Sequence, residues 1–118
     1  MKLHCSMIFA KDMARMTAFY RDGLGLRWLA EKSSEGWAEF DAGGTSLALH
    51  AIPKPIADEI EISDPPRERG DTPLKLIFAA EDVERARAHL ECHGAVMYPI
   101  SKWGSCDGLD PRAIAFRS

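Results

Sequence analysis

The stretch Gly36–His50 reads GWAEFDAGGTSLALH, and it decides the fold. Two short runs rich in apolar residues flank a central DAGG turn, and this pattern is typical of a β-hairpin. We predict strands over Trp37–Phe40 and Thr45–Ile52. With a four-residue loop, Glu39 is expected to lie opposite Ser46 in the hairpin.

The residues before the hairpin predict a strand, a helix and a second strand. Leu3–Ala10 is an apolar run, and Asp12 is a suitable N-cap for the helix that follows. Gly23 is placed for a left-handed residue at the end of that helix. Leu26–Lys32 is the expected next strand. Residues 1–52 therefore form a first β-α-β-β-β module.

The C-terminal part of the chain, 73–118, repeats this pattern in degenerate form. It predicts a strand over Leu74–Ala80, a helix over Asp82–His93, a glycine at position 94 and three short strands. Asp82 occupies the place that Asp12 has in the first module. The sequence thus predicts two related modules in tandem.

The segment 53–72 between the modules is acidic and proline-rich, and it predicts an exposed connection in which EIEI could add a short edge strand. It holds six acids and three bases, so the net charge of −3 resides there and the remaining charges balance. The lack of a basic patch argues against nucleic-acid binding. No long apolar run predicts a membrane span or a signal peptide, so we expect a cytoplasmic protein. Three cysteines without CxxC spacing predict neither a disulfide framework nor a structural zinc site.

These features together resemble the vicinal-oxygen-chelate superfamily, which includes glyoxalase I, bleomycin- and fosfomycin-resistance proteins and extradiol dioxygenases. The resemblance rests on the strand before Asp12, the FYRDGLGL run of Phe19–Leu26, the hairpin, the second helix start at Asp82 and the Asp110-Pro111 pair. It implies an α+β fold in which two βαβββ modules form an open, cup-shaped mixed sheet with helices packed outside. It also implies a homodimer.

Metal-using members of this superfamily hold a divalent ion with histidines and glutamates from the first and last strand of each module. The resemblance places these positions at Cys5, Ala48, Lys75 and either Arg117 or Ala115. None of the five is the expected histidine or glutamate, so we expect no metal and no other cofactor. The alternative is a rearranged metal site.

Strand periodicity assigns the residues that face the cup. One hairpin face carries an aromatic ring, a carboxylate, a hydroxyl and an imidazole, whereas the other face is apolar and packs on the helix. We expect Cys5 to be inert and Glu39 to be solvated, or else to act as a base or ligand contact. The predicted ligand pocket comprises Cys5, Met7, Phe9, Trp37, Glu39, Ser46, His50, Lys75, Trp103 and Arg117.

Three functions are compatible with these residues. The first is a metal-free cup that binds, and in a resistance-type role sequesters, a small apolar or aromatic organic molecule. The second is a metal-dependent glyoxalase-like lyase or isomerase with a rearranged site around Cys5 and His50. The third is a metal-free enzyme in which Glu39 and His50 are the catalytic candidates.

Overall fold

The computed structural model describes residues 1–64, 67, 71 and 73–97, together with the backbone of 101–102 and 109–110. The chain divides into two compact units, Met1–Ile62 and Ser63–Arg117, and each is described by itself. The boundary falls inside the acidic 53–72 segment. Trp103, Ala115 and Arg117 carry no described side chain, so the predictions made for them lie outside the described residues.

The first unit is built on a four-stranded mixed sheet in the order β1-β4-β3-β2. Its strands are β1 (Cys5–Ala10), β2 (Arg27–Trp28), β3 (Trp37–Asp41) and β4 (Ser46–Ala51). β1 runs parallel to β4, while β3 is antiparallel to both β4 and β2. The predicted α+β class is confirmed, and this unit has the predicted β-α-β-β-β order.

Helix α1 (Met13–Ala18) begins where the sequence predicts. The Asp12 side chain accepts a hydrogen bond from the Arg15 amide at 3.1 Å, which satisfies a donor that helix geometry leaves free. The helix continues as a π-helical segment over Phe19–Gly23. The left-handed residue that follows is Gly25, with φ +69°, and not Gly23 as predicted. The π-helical segment explains the shift, because it still includes Gly23.

The core of the first unit lies between α1 and the sheet. Met16 and Tyr20 of the helical segment are 1% exposed, and Phe40 and Leu49 are fully buried. The rings of Tyr20 and Phe40 lie 6.1 Å apart. Burial of each such side chain stabilises the fold by roughly 1.5–3 kcal/mol. This packing confirms that the apolar face of the hairpin is the helix-packed face.

The hairpin is paired two residues away from the predicted register. Glu39 lies opposite Ala48, and Ser46 lies opposite Asp41. The loop has four residues, as predicted, but it starts one residue later, because Asp41 Oδ1 accepts a hydrogen bond from the Gly43 amide at 2.9 Å and closes the turn. A shift of two residues leaves every side chain on its predicted face.

The predicted strand over Leu26–Lys32 is wrong beyond Trp28. Only Arg27–Trp28 is extended and paired, and Ala30–Lys32 forms a 3-10 turn. The Ser33 hydroxyl donates to the Leu29 carbonyl at 2.8 Å. Such local side-chain bonds compete with the strand ladder and explain the early end of β2.

The segment 53–72 is not simply an exposed connection. It begins with the short helix α2 (Lys54–Ala57), in which Ala57 is 7% exposed. The Lys11 ammonium donates to the Ile60 carbonyl, which ties this stretch to the end of β1. Residues 59–62 form no strand, so the suggested EIEI edge strand is absent.

The second unit contains helix α3 (Val83–Cys92) and the antiparallel pair β5 (Ser101–Lys102) and β6 (Leu109–Asp110). The Asp82 side chain caps α3 by accepting from the Arg85 amide at 3.0 Å, so this helix prediction is confirmed. No helix among the described residues is long and apolar enough to cross a membrane.

The predicted strand over Leu74–Ala80 is wrong for the described structure. None of these residues pairs with another described strand, and Leu74 and Ile77 are 63% and 66% exposed. The apolar pattern is that of a strand, but a strand requires a hydrogen-bonded neighbour. This stretch has none among the described residues.

Candidate functional site

One face of the first sheet brings together most of the residues that the sequence singled out. We call it the site face. The strand register arranges it as three rows of three residues, each row crossing β3, β4 and β1. The rows are Trp37, His50 and Phe9; Glu39, Ala48 and Met7; and Asp41, Ser46 and Cys5.

The first row is aromatic. The His50 ring meets Phe9 edge-to-face at a centroid distance of 5.6 Å and Trp37 at 5.7 Å. Phe9 is 54% exposed, whereas His50 and Trp37 are half-buried. The Nδ1 atom of His50 is buried and has no hydrogen-bond partner among the described residues. The row presents a mainly apolar surface of three rings packed edge-to-face, with one imidazole in its centre.

The second row is dominated by the carboxylate of Glu39. Its Oε1 accepts from the Trp37 indole Nε1 at 3.2 Å, and its Oε2 accepts from the Ser46 hydroxyl at 3.1 Å. The Lys32 ammonium lies 3.8 Å from Oε2. Glu39 is only 8% exposed, so the expectation that it is solvated was wrong. The donors on both sides explain how a carboxylate is accommodated there.

The third row places a thiol near this carboxylate. Burial, followed by the negative charge of Glu39, raises the pKa of the Cys5 thiol above its ordinary value. A raised pKa lowers the thiolate fraction and with it the reactivity of the thiol as a nucleophile; that Cys5 is inert stays a prediction. Asp41 is held at the edge of the row by Arg27, with 3.1 Å between the guanidinium and carboxylate atoms.

Seven of the ten predicted pocket residues lie on the site face: Cys5, Met7, Phe9, Trp37, Glu39, Ser46 and His50. Lys75 is exposed and belongs to the second unit. The roles assigned to these residues stay predictions, since their proximity on one face does not establish that they contact a ligand.

Sequence reasoning missed Lys32 and Ser33. Ser33 Oγ accepts from the Glu39 amide at 3.1 Å, and the Leu29 amide donates to the Glu39 carbonyl at 2.8 Å. Both bonds depend on the turn that replaces the end of the predicted second strand. The sequence does not indicate that Lys32 and Ser33 contact Glu39, because the conformation of the 29–36 loop sets their positions.

A groove of about 440 Å³ lies on the other side of the first unit, and it is a second place where a small molecule could bind. It is lined by α1 residues such as Met13 and Thr17, by Trp28 and by the 33–38 segment. Of the predicted pocket residues, Trp37 alone lines it. Trp28 pairs with Phe40 across β2 and β3, which places it on the face opposite to the site face.

A four-stranded mixed sheet with this parallel β1–β4 pair and a helix packed on one side defines a module of the glyoxalase fold. The family model of the glyoxalase/bleomycin resistance protein/dioxygenase superfamily matches residues 2–104. The chain belongs to this superfamily, and the resemblance found in the sequence is confirmed. No curated protein matches the sequence.

Solved structures show the same fold at low sequence identity. A glyoxalase/bleomycin resistance protein/dioxygenase family enzyme from Burkholderia phytofirmans PsJN is 18% identical, with a TM-score of 0.58 over 83% of this chain and 77% of that one. Lactoylglutathione lyase from Agrobacterium tumefaciens is 18% identical, with a TM-score of 0.51 over 86% and 77%. A point mutant of the fosfomycin resistance protein FosX from Listeria monocytogenes, complexed with Mn(II) and 1S,2S-dihydroxypropylphosphonic acid, is 17% identical, with a TM-score of 0.58 over 88% and 72%.

The metal of such relatives does not fit the donor set of the first unit. The two positions that the resemblance assigns there hold the thiol of Cys5 and the methyl group of Ala48, and neither is the histidine or glutamate that the resemblance implies. Among the described residues, no group of three or more His, Cys, Asp and Glu side chains is arranged to hold a metal ion. Divalent ions in open catalytic sites usually have three protein ligands. We therefore derive no chemical step through a metal.

Proposed function

We propose that this chain binds a small, flat, mainly aromatic organic molecule on the site face, without the metal that some relatives use. The observation that carries the proposal is the aromatic row: Phe9 is exposed beside the half-buried rings of His50 and Trp37. Sites for small molecules combine apolar walls with a few fixed polar groups, and this face offers both.

Glu39 gives the face its rigidity. Its carboxylate fixes the Trp37 indole through one oxygen and is itself held by Ser46 through the other. A ring that is already held in place loses little conformational entropy when a ligand stacks on it. Glu39 is thus a positioning residue for Trp37 in this proposal.

The same contacts favour binding over proton transfer by Glu39. Both carboxylate oxygens already accept hydrogen bonds, and Lys32 neutralises part of the charge. A general base must come within hydrogen-bond reach of the proton that it removes, and little of Glu39 is exposed. We therefore rank sequestration of the ligand above catalysis by Glu39 and His50.

A thermal-shift screen of planar aromatic and heteroaromatic compounds tests the proposal. Compounds that bind the site face should raise the melting temperature of the wild type and of Trp28→Ala, and this shift should be lost in Phe9→Ala, because Phe9 lies on the site face and does not line the groove. The Trp28 variant is a matched control, because that residue lies on the opposite face and lines the groove. A shift that survives in Phe9→Ala, or one that is lost in Trp28→Ala, would place binding away from the site face and overturn the proposal.

Metal content tests the second part of the proposal, namely that binding on the site face does not use a metal. Protein purified without an affinity tag is analysed for its elements, both as wild type and as a variant in which two exposed histidines at the end of α3, His89 and His93, are replaced by alanine, so that an ion held at that surface is not counted. We expect no stoichiometric metal in the double variant. About one divalent ion per chain in that variant would contradict the metal-free reading and favour a lyase or isomerase with a rearranged site.

We also propose a homodimer. Among the described residues, β1 is an outer strand of the four-stranded sheet. Open strand edges favour pairing with a second copy through the backbone, which leaves the side chains of the site face available. Light scattering at micromolar concentration should give twice the chain mass; a monomer mass would contradict this proposal. A cytoplasmic location and the lack of a nucleic-acid partner stay predictions.

A further inference from the structure

The C-terminal turn of α3 carries two histidines that the proposed function does not use. His89 and His93 are both exposed and lie four residues apart, so they occupy one side of the helix. Their ring centroids are 4.6 Å apart, with 54° between the ring planes. Two histidines at this spacing on a helix form a recurrent metal-binding pair.

The ring distance matches coordination of one ion by both imidazoles. A metal–nitrogen bond of about 2.05 Å places the ion about 3.2 Å from a ring centroid, so two rings at a right angle around it are about 4.5 Å apart. A tetrahedral angle would separate them to about 5.2 Å. The observed 4.6 Å lies close to this range, and imidazole nitrogen suits divalent ions such as copper(II) and nickel(II).

The electrostatic surroundings favour a cation at this point. His93 is the C-cap of α3, and the negative end of the helix dipole lies at that terminus. Gly94, at φ +91°, allows the chain to turn away directly after the pair. Arg87 is paired with Glu91, and at about 100° per residue both are separated from the histidines by about 120–160° around the helix. The guanidinium of Arg85, one helical turn before His89, lies on the same side of the helix and would repel a bound cation.

We propose that His89 and His93 form a surface site for a divalent transition-metal ion of the copper and nickel class. This site is independent of the site face and of the function proposed for it. Imidazole nitrogen is a preferred ligand for these ions, and water completes the coordination. The exposed thiol of Cys92 lies next to His93 in sequence but at a different angle around the helix. The proposed two-histidine site does not require the Cys92 thiol.

Titration calorimetry with nickel chloride on the tag-free full chain at pH 7.5 tests the site. We expect one nickel ion per chain in the wild type. His89→Ala and His93→Ala should each weaken binding by about tenfold or more, since even ligand-supporting partners change metal affinity by that much. His4→Ala and Cys92→Ser should leave the affinity unchanged. Arg85→Ala should tighten binding, because it removes a nearby positive charge.

Two further readouts guard against misfolded variants and binding elsewhere. Circular dichroism should show that each alanine variant keeps the wild-type spectrum. Amide signals broadened by nickel in NMR spectra should cluster around the end of α3. Unchanged affinity in His89→Ala or His93→Ala, equal loss in His4→Ala or Cys92→Ser, or broadening centred elsewhere would each overturn the proposal.

Discussion

The two faces of the first sheet share one backbone and differ in what holds them. On the helix-packed face, Phe40 and Leu49 are fully buried, and apolar packing alone explains their positions. On the site face, the buried carboxylate of Glu39 and the exposed ring of Phe9 lie beside the half-buried rings of Trp37 and His50. Hydrogen bonds to the Glu39 carboxylate hold the side chains of Trp37 and Ser46 on that face. The comparison shows that hydrophobicity defines one face and hydrogen bonding organises the other.

The largest effect should come from removing a core ring. Phe40→Ala should destabilise the protein by about 3–5 kcal/mol, because it leaves a cavity against Tyr20. Phe9→Ala on the site face should have much less effect, since that ring is 54% exposed. Urea denaturation measures both. Equal losses would mean that the site face is packed like the core.

An intermediate effect is expected at Glu39. Glu39→Ala leaves the Trp37 indole N–H and the Ser46 hydroxyl without their acceptor, which should cost about 1–3 kcal/mol. Glu39→Gln keeps an acceptor for Trp37 and should restore much of the stability and of the near-ultraviolet circular dichroism of the indole. A Gln variant as unstable as the Ala variant would show that charge, and not hydrogen bonding, holds the face together.

A smaller effect is expected in the reactivity of Cys5. Because burial and Glu39 raise the thiol pKa, Cys5 should react more slowly with iodoacetamide at pH 8 than the exposed Cys92. Glu39→Gln removes the charge, lowers the pKa of the Cys5 thiol and should speed the reaction several-fold. Mass spectrometry of labelled peptides gives the rates; faster labelling of Cys5 than of Cys92 would refute this.

The raised pKa also means that the contribution of Cys5 to stability is present below the ordinary thiol pKa and is lost as the pH rises.

The smallest effect should come from the edge of the site face. Arg27→Ala removes an exposed ion pair to Asp41, and such pairs contribute little to stability. Asp41 keeps the Gly43 amide, and both contacts lower its pKa. The stability gained from Asp41 is therefore present at neutral pH and lost on acidification below its ordinary pKa. Denaturation curves of Arg27→Ala at pH 7 should nearly coincide with those of the wild type. A large loss in the free energy of unfolding would show that the ion pair anchors the hairpin.

The sequence predicted the fold class, both helix starts and the sorting of the hairpin onto two faces. Its register error was harmless, because a two-residue shift preserves the faces. It did not predict the contacts of Glu39, because these depend on the turn at 29–36, where Ser33 ends the strand early. It also predicted a strand over Leu74–Ala80, since apolar alternation shows the potential to pair but not the presence of a neighbour.

The most direct test of the account is a fluorescence titration of a chain in which Trp37 is the sole tryptophan, made by Trp28→Phe and Trp103→Phe. A planar aromatic compound from the screen is added in the presence of EDTA. The account predicts saturable quenching of Trp37 that EDTA does not change and that Phe9→Ala abolishes, because Phe9 lies on the site face and does not line the groove. Quenching that is lost with EDTA and restored by Mn(II), or no quenching at all, would contradict a metal-independent aromatic site on this face.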